Sequence, residues 1–224
     1  MKINFKIIII FIFLYNSLNA QRISINRIES RLITNEGEEF IGIIKDKNRD
    51  LYTFSKWNNS GVMFVKNKRY TISNINFDVT TNSFESRISR EKYFSYKNSE
   101  LDSVFINNLL FKKVGNAFYE VLFEKGKFMF LKKHDVIFQK GIENRIDGSV
   151  GNSKALKSFK YLIVANKKYK KIELNKNSVL GLFEDKNQRD SIINFIKENR
   201  LSYKEIKDII KIFRFMLNNS DSLS

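Results

Sequence analysis

Residues 117–131 read AFYEVLFEKGKFMFL, and this stretch decides the fold class of the chain. Two runs rich in aromatic and aliphatic residues flank the polar turn 124–127, which contains Gly126. Such side chains favour strands, and a short turn with a glycine joins antiparallel neighbours. The stretch therefore predicts a β-hairpin.

Strand-like segments separated by turn residues continue on both sides of this hairpin, from residue 22 to residue 174. The predicted strand pairs are 50–56 with 61–66, 103–106 with 109–111, and 159–165 with 169–174. The spacing leaves no room for helical crossovers between the strands. We therefore expect residues 21–175 to form an antiparallel β-meander whose sheet is curved or partly closed.

Two places interrupt this pattern. The apolar phase shifts between Ile72 and Ile75 within the predicted strand 69–77, which indicates a β-bulge near Ser73–Asn74. Residues 139–155 contain three glycines and few large apolar side chains, so this segment is expected to be a mobile loop.

The period of the apolar residues changes after residue 174 and becomes helical. Asp185 followed by Gln188 predicts a helix N-cap, and Ser202 with Glu205 predicts a capping box. The apolar residues of the last helix fall on one face: Ile206, Ile209, Ile210, Phe213, Met216 and Leu217. The fold is therefore α+β and mainly β, with helices in 176–217 packed as a hairpin on the sheet and a frayed tail at 218–224.

Residues 1–20 have the order of a secretory signal peptide. Lys2 and Lys6 precede an apolar run at 7–15, and a short polar stretch then leads to Ala20 and Gln21. We expect cleavage between Ala20 and Gln21 and export to the periplasm or the outside of the cell. An uncleaved anchor or a buried first strand is the alternative. The rest of the chain has no apolar run long enough for a spanning helix, so an integral membrane protein is not expected.

Composition excludes several kinds of site. The chain has no Cys and one His, so disulfides, thiol catalysis and structural zinc are not expected, and no motif calls for a cofactor. The formal net charge is +16, with the basic residues spread along the chain. This charge favours loose adhesion to an acidic polysaccharide, an anionic lipid surface or an envelope protein over specific nucleic-acid recognition.

Three groups of residues could carry chemistry. His134 next to Asp135 could act as a base or a ligand, although a surface position at a strand end is favoured. Asp78 and Glu85 could face each other across a hairpin as an acid–base pair, although turn carboxylates commonly serve solubility. A cationic stripe on the last helix could contact a membrane surface or an acidic partner: Lys204, Lys207, Lys211 and Arg214.

The chain also resembles a group of uncharacterised secreted or periplasmic proteins of Bacteroidetes, of flavobacterial type. The likeness rests on the end of the leader at 19–21, on 69–78 with 83–85, and on the closing segment 182–199. This resemblance implies location and architecture, and it transfers no activity. The function favoured by the sequence is binding by a non-enzymatic exported protein, with a peripheral membrane-surface protein and a hydrolase as alternatives.

Overall fold

The computed structural model describes residues 30–33, 39–46, 51–66, 68–139, 141 and 152–219. These residues form two antiparallel β-sheets followed by three helices, so the predicted fold class is confirmed. The predicted signal peptide and its cleavage site at Ala20 and Gln21 lie outside the described residues. None of the described helices has the length and apolar character that a membrane span requires.

The first sheet has five strands in the order β1-β2-β7-β6-β5. Its strands are β1 (Ser30–Ile33), β2 (Glu39–Asp46), β5 (Ile75–Asp78), β6 (Ser83–Arg87) and β7 (Lys92–Tyr96). A short 3-10 helix at Asn98–Glu100 leads from this sheet into the next one.

The second sheet has eight strands in the order β13-β12-β11-β10-β9-β8-β3-β4. Its strands are β3 (Ser60–Val65), β4 (Lys68–Ser73), β8 (Ser103–Ile106), β9 (Leu109–Val114), β10 (Ala117–Lys125), β11 (Phe128–Gln139), β12 (Lys154–Ala165) and β13 (Lys168–Ile172). From β8 to β13 each strand pairs with the next along the chain, as in the predicted meander.

The hairpin at 117–131 is confirmed as β10 and β11. Gly126 has φ +58°, a backbone conformation that costs glycine little. The pairing register shifts between Val121 and Phe123, which marks a β-bulge in β10. The hairpins at 103–111 and 159–174 are also present, as β8–β9 and β12–β13.

The irregularity predicted near Asn74 is larger than a bulge. Asn74 has φ +54°, and the chain leaves the second sheet after β4 and enters the first sheet at β5. Asparagine tolerates this left-handed conformation better than most residues. The apolar phase changes here because successive side chains face the core from two different sheets.

The predicted pairing of 50–56 with 61–66 is wrong. Strand β3 pairs with β4 and β8, whereas Tyr52 bridges to Asp78 beside the first sheet. The amide of Thr53 donates to the Phe77 carbonyl at 2.9 Å, and the amide of Val79 donates to the Leu51 carbonyl at 2.8 Å. This segment is thus held along the edge of β5, a long-range contact that local alternation does not encode.

The two sheets face each other across an aromatic core. Phe77 and Phe84 of the first sheet and Phe111 and Phe118 of the second are fully buried. The ring centroids of Phe77 and Phe111 lie 4.8 Å apart, and those of Phe84 and Phe118 lie 4.9 Å apart. The opposite face of the first sheet is therefore its outer face, and it carries the polar side chains described below.

Three helices follow the second sheet in the described part of the chain: α1 (Lys176–Leu180), α2 (Lys186–Glu198) and α3 (Ile206–Asn219). The apolar sides of α2 and α3 meet Phe128, Phe130 and Ile163 of the second sheet in a second core. Helix α3 runs through Asn219, so the predicted tail at 218–224 begins inside a helix, and its last five residues lie outside the described residues.

The two predicted helix starts differ in outcome. Asp185 is the N-cap of α2 and accepts from the Gln188 amide at 2.6 Å, as predicted. The capping box at 202–205 is wrong, because a turn delays α3 until Ile206 and Asp208, rather than Glu205, accepts from the Ser202 amide at 3.0 Å.

The predicted loop 139–155 is shorter than expected. Strand β11 continues to Gln139 and β12 begins at Lys154, and these two residues pair with each other. Gly141 is described, whereas Gly148 and Gly151 lie outside the described residues.

Candidate functional site

Asp78 and Glu85, the predicted acid–base pair, do lie together on the outer face of the first sheet. Asp78 pairs with Ser83 and Glu85 with Asn76 across β5 and β6, so these side chains share one face. Both carboxylates are nevertheless fully buried. The Lys45 ammonium from β2 forms ion pairs with both, at 3.5 Å from Asp78 Oδ2 and in close contact with Glu85 Oε1.

Each of the two carboxylates also accepts hydrogen bonds from the protein. Asp78 accepts from the Thr80 amide at 2.9 Å and from the Thr81 hydroxyl at 2.6 Å, which fixes the turn between β5 and β6. Glu85 accepts from the Tyr52 hydroxyl at 2.7 Å. Burial raises the pKa of Glu85, against the lowering effect of Lys45 and Tyr52.

This arrangement corrects the interpretation of these two residues as solubilising turn carboxylates. Charges that are buried must be paired, and here a single lysine serves two acids. A carboxylate pair that hydrolyses a glycosidic bond must reach its substrate, and two fully buried carboxylates offer no such access. We call Lys45, Tyr52, Asp78 and Glu85 the carboxylate cluster. Its mutual contacts support the structure of the outer face of the first sheet.

Three aromatic rings connect the carboxylate cluster to the surface. The Trp57 ring lies 4.6 Å from that of Tyr52 and 4.8 Å from that of Tyr93, measured between centroids. Tyr52 is thus held at its hydroxyl by Glu85 and at its ring by Trp57. Large aromatic side chains packed in this way have few rotamers left, so the position of Trp57 is well defined.

Beside Trp57 lies an open groove of about 800 Å³. Three of its lining residues are cations, namely Lys56, Arg87 and Arg90, and none of the described lining residues is acidic. The remaining lining residues are Ser55, Trp57, Asn58, Asn74, Ile88 and Ser89. We call this feature the cationic groove.

The cations of the cationic groove have different roles. Arg87 donates from Nε to the Ser89 carbonyl at 3.0 Å and from Nη2 to the Arg90 carbonyl at 3.4 Å, so it shapes the β6–β7 turn. Lys56 and Arg90 are exposed residues of the wall. Two cations beside an aromatic ring can bind carboxylate or sulfate groups while the ring contacts an apolar surface.

His134 is buried within β11, so the expectation of a surface position at a strand end is wrong. Its Nε2 lies 2.6 Å from Glu120 Oε2, and Lys132 Nζ lies 2.7 Å from the same oxygen. The Thr53 hydroxyl lies 3.4 Å from Nδ1. Asp135 takes no part, since it pairs with Lys160 at 2.5 Å.

We call Thr53, Glu120, Lys132 and His134 the histidine cluster. It contains a hydroxyl, an imidazole and a carboxylate, which are the three groups of a nucleophilic triad. A triad needs its hydroxyl in good hydrogen-bond contact with the base and open to substrate. Here the hydroxyl contact is long, and the imidazole is only 4% exposed. The rings of Phe77, Phe111 and Phe159 surround it at 5.4 to 5.9 Å between centroids. The geometry is that of a buried glutamate whose contacts are satisfied by a lysine and a histidine.

The predicted cationic stripe is only partly formed. Lys204 lies before the start of α3, whereas Lys207, Lys211 and Arg214 lie on the helix and are exposed. Lys211 pairs with Asp208 at 3.1 Å, and the Arg214 guanidinium lies 5.7 Å from the centre of the Phe123 ring. These contacts engage two of the four cations within the protein.

Basic residues are concentrated elsewhere, which corrects the expectation that they are spread evenly. Residues 154–172, which form β12 and β13, contain seven lysines and no acidic residue. All seven are exposed: Lys154, Lys157, Lys160, Lys167, Lys168, Lys170 and Lys171. Strand β13 lies at the sheet edge, where lysines also discourage pairing with other chains.

Several residues of these clusters had no sequence signal of their own. Lys45, Tyr52 and Trp57 meet Glu85 and Tyr93 only through sheet pairing and the return of the chain along β5. Glu120 did have a signal, because it alternates with the buried Phe118 and so points to the core. A glutamate that faces the core requires a buried polar partner. The single histidine of the chain was a candidate for this partner, and His134 is indeed in contact with Glu120.

Among the described residues, no group of three or more His, Asp or Glu side chains is placed to hold a metal ion.

Comparison of the chain with protein-family models, with curated proteins and with solved structures found no match.

Proposed function

We propose that this protein is a non-enzymatic exported protein that binds an acidic polysaccharide in the cationic groove, in the periplasm or outside the cell. The observation that carries this proposal is the presence of Lys56, Arg87 and Arg90 around Trp57 in a groove whose described lining has no acidic residue. The N-terminal segment with its predicted cleavage at Ala20 supports the location.

The chemistry of the cationic groove fits a charged sugar chain. Guanidinium and ammonium groups pair with the carboxylates or sulfates of such a chain. The indole of Trp57 offers a flat apolar surface for the C–H face of a sugar ring. Ser55, Asn58 and Asn74 add hydroxyl and amide groups that can hydrogen-bond to sugar hydroxyls. The open shape suits a polymer that enters and leaves along the groove.

The hydrolase alternative has less support. Its candidate residues, Asp78, Glu85 and His134, are all buried and already bonded to protein groups. Buried ionic clusters of this kind commonly hold structure in place. We therefore assign the carboxylate cluster and the histidine cluster to support, and recognition to the cationic groove.

The experiment is a calorimetric titration with polygalacturonate as an acidic polysaccharide, and with dextran as a neutral one. We expect polygalacturonate to bind at low salt and dextran not to bind. The double variant Lys56→Gln/Arg90→Gln should weaken polygalacturonate binding at least about tenfold, because two charge-assisted contacts are lost. Both side chains are exposed. Arg87 donates to the backbone carbonyl of Arg90, and the side-chain amide of Asn59 donates to the backbone carbonyl of Lys56. The substitutions leave these carbonyls in place, so the fold should be unaffected.

The matched control is Lys204→Gln/Lys207→Gln, which removes the same charge from a distant exposed surface. It should leave the affinity within about twofold of the wild-type value, since rim charges outside a site act mainly through screened long-range forces. Equal losses of affinity in the two double variants would show that binding depends on the general positive charge of the protein rather than on the cationic groove. Equal binding of duplex DNA would contradict recognition of a polysaccharide.

A further inference from the structure

The longest hairpin among the described strands extends beyond its neighbouring strands. Strands β11 and β12 pair without interruption from Phe128 with Ala165 to Gln139 with Lys154. In the described part of the chain, β10 pairs with β11 only as far as Lys132, and β13 pairs with β12 only from Tyr161. Residues 133–139 and 154–160 therefore pair only with each other, as a two-stranded ribbon that we call the β-arm. Its base, with His134 and Val136, packs on the aromatic core, and its far end lies beyond the core.

The far end of the β-arm exposes apolar side chains on both of its faces. Ile137 pairs with Leu156 on one face, and these side chains are 51% and 41% exposed. Phe138 pairs with Ala155 on the other face and is 73% exposed. Exposed apolar residues on a projecting strand promote aggregation unless another surface covers them.

The β-arm is also cationic. Its described residues include Lys133, Lys154, Lys157 and Lys160, against Asp135 as the one acid, so its net charge is +3 (4 − 1) with His134 neutral. Asp135 is paired with Lys160 at 2.5 Å, and Lys154 and Lys157 are exposed on either side of Leu156. Long lysine side chains can reach phosphate groups while their apolar stems stay near the strand.

We propose that the β-arm binds anionic lipid bilayers by placing Ile137, Phe138 and Leu156 in the headgroup region while its lysines contact lipid phosphates. A bilayer surface can surround both faces of a narrow ribbon, whereas a protein that packs on one face would leave Phe138 or Ile137 exposed. Apolar and aromatic side chains next to lysines are the combination that binds anionic membrane surfaces. This proposal is independent of the cationic groove.

The test is sedimentation of the purified protein with phosphatidylglycerol vesicles and with phosphatidylcholine vesicles, after mass spectrometry has identified its N-terminal residue. We expect binding to phosphatidylglycerol that weakens as salt is added, and much weaker binding to phosphatidylcholine. The variant Ile137→Ser/Phe138→Ser should lower the partition coefficient at least about tenfold, since two large apolar contacts are removed. Lys154→Gln/Lys157→Gln should lower it similarly, for phosphatidylglycerol alone.

Two matched controls separate the β-arm from general effects. Phe105→Ser removes another exposed apolar side chain of the same sheet, and Lys204→Gln/Lys207→Gln removes two cations of the predicted stripe. Both should bind vesicles as the wild type does. Wild-type binding by the Ile137→Ser/Phe138→Ser variant would overturn the proposal. So would absent vesicle binding together with a dimer that this variant dissociates, which would assign the β-arm to a second copy of the chain.

Discussion

Glu85 and Glu120 occupy comparable places in the two sheets, but their pKa values are shifted in opposite directions. Each lies on a strand, is buried and contacts a lysine. Glu85 shares Lys45 with a second carboxylate, Asp78, whereas Glu120 has Lys132 and the His134 ring to itself. The ratio of acids to bases therefore differs between the carboxylate cluster and the histidine cluster.

The directions of the pKa shifts follow this ratio. Burial is the largest influence on both residues, and it raises the pKa of Glu85 above its ordinary value. Burial also acts to raise the pKa of Glu120, but the hydrogen bonds from His134 and Lys132 outweigh it and lower that pKa. Burial alone does not determine the sign of a shift, because the hydrogen bonds and charges around the carboxylate also act on it: the nearby Asp78 adds to the raising effect at Glu85, and Glu120 has no such neighbour.

The largest expected effect comes from removing the lysine that serves two acids. Lys45→Met should lower the free energy of unfolding at pH 7 by about 3–5 kcal/mol, because Asp78 and Glu85 are left buried without a cation. Lys132→Met should cost clearly less, since Glu120 keeps its contact with His134. Urea denaturation of both variants measures the difference. Equal losses of unfolding free energy in the two variants would contradict the difference proposed between the carboxylate cluster and the histidine cluster.

An intermediate effect is expected when each glutamate is made neutral. Glu120→Gln should lower the free energy of unfolding at pH 7 by about 2 kcal/mol, since Lys132 loses its ionic partner. Glu85→Gln should change it by less than about 1 kcal/mol, because a neutral group suits this site and Lys45 keeps Asp78. Urea denaturation again measures both, and a larger loss for Glu85→Gln would contradict the assigned charge balance.

The smallest effect is the pH dependence of stability. The raised pKa of Glu85 contributes stability that is present below 4.5, its ordinary value, and lost as pH rises through the folded value. The lowered pKa of Glu120 contributes stability that is present above 4.5 and lost as pH falls through its folded value. The two glutamates therefore stabilise the fold on opposite sides of pH 4.5.

Unfolding measured from acid to neutral pH in the two Gln variants separates these contributions. Compared with wild type, Glu85→Gln should abolish a fall in stability as pH rises above 4.5, and Glu120→Gln should abolish a fall as pH drops below 4.5. The same pH profile for both variants would show that the two glutamates are equivalent.

Local sequence patterns predicted the parts of the fold that depend on near neighbours. The hairpin at 117–131 and the Asp185 cap were predicted correctly because their partners lie within a few residues. The edge pairing of Tyr52 with Asp78 joins distant segments and left no local pattern. At Asn74 the pattern located the irregularity correctly and underestimated it, because a change of sheet and a bulge shift the apolar phase alike.

The candidate site was predicted only in fragments. Asp78 and Glu85 were identified as a pair, but their burial depends on the contacts of Lys45 and Tyr52. The residues of the cationic groove come from the segment after Tyr52, from Asn74 between β4 and β5, and from the end of β6 with the turn that follows it, and only the folded sheet brings these segments together. The stripe on the last helix was visible from spacing, whereas its contacts with Asp208 and Phe123 were not.

Fluorescence of Trp57 tests the central claim most directly, because it is the single tryptophan of the chain and lines the cationic groove. Titration with an oligogalacturonate should change its emission in a saturable way, and about 1 M salt, where the screening length is about 3 Å, should reverse the change. The Lys56→Gln/Arg90→Gln variant should show little change at the same concentrations. Oligogalacturonate binding that leaves the Trp57 emission unaltered would contradict the proposal.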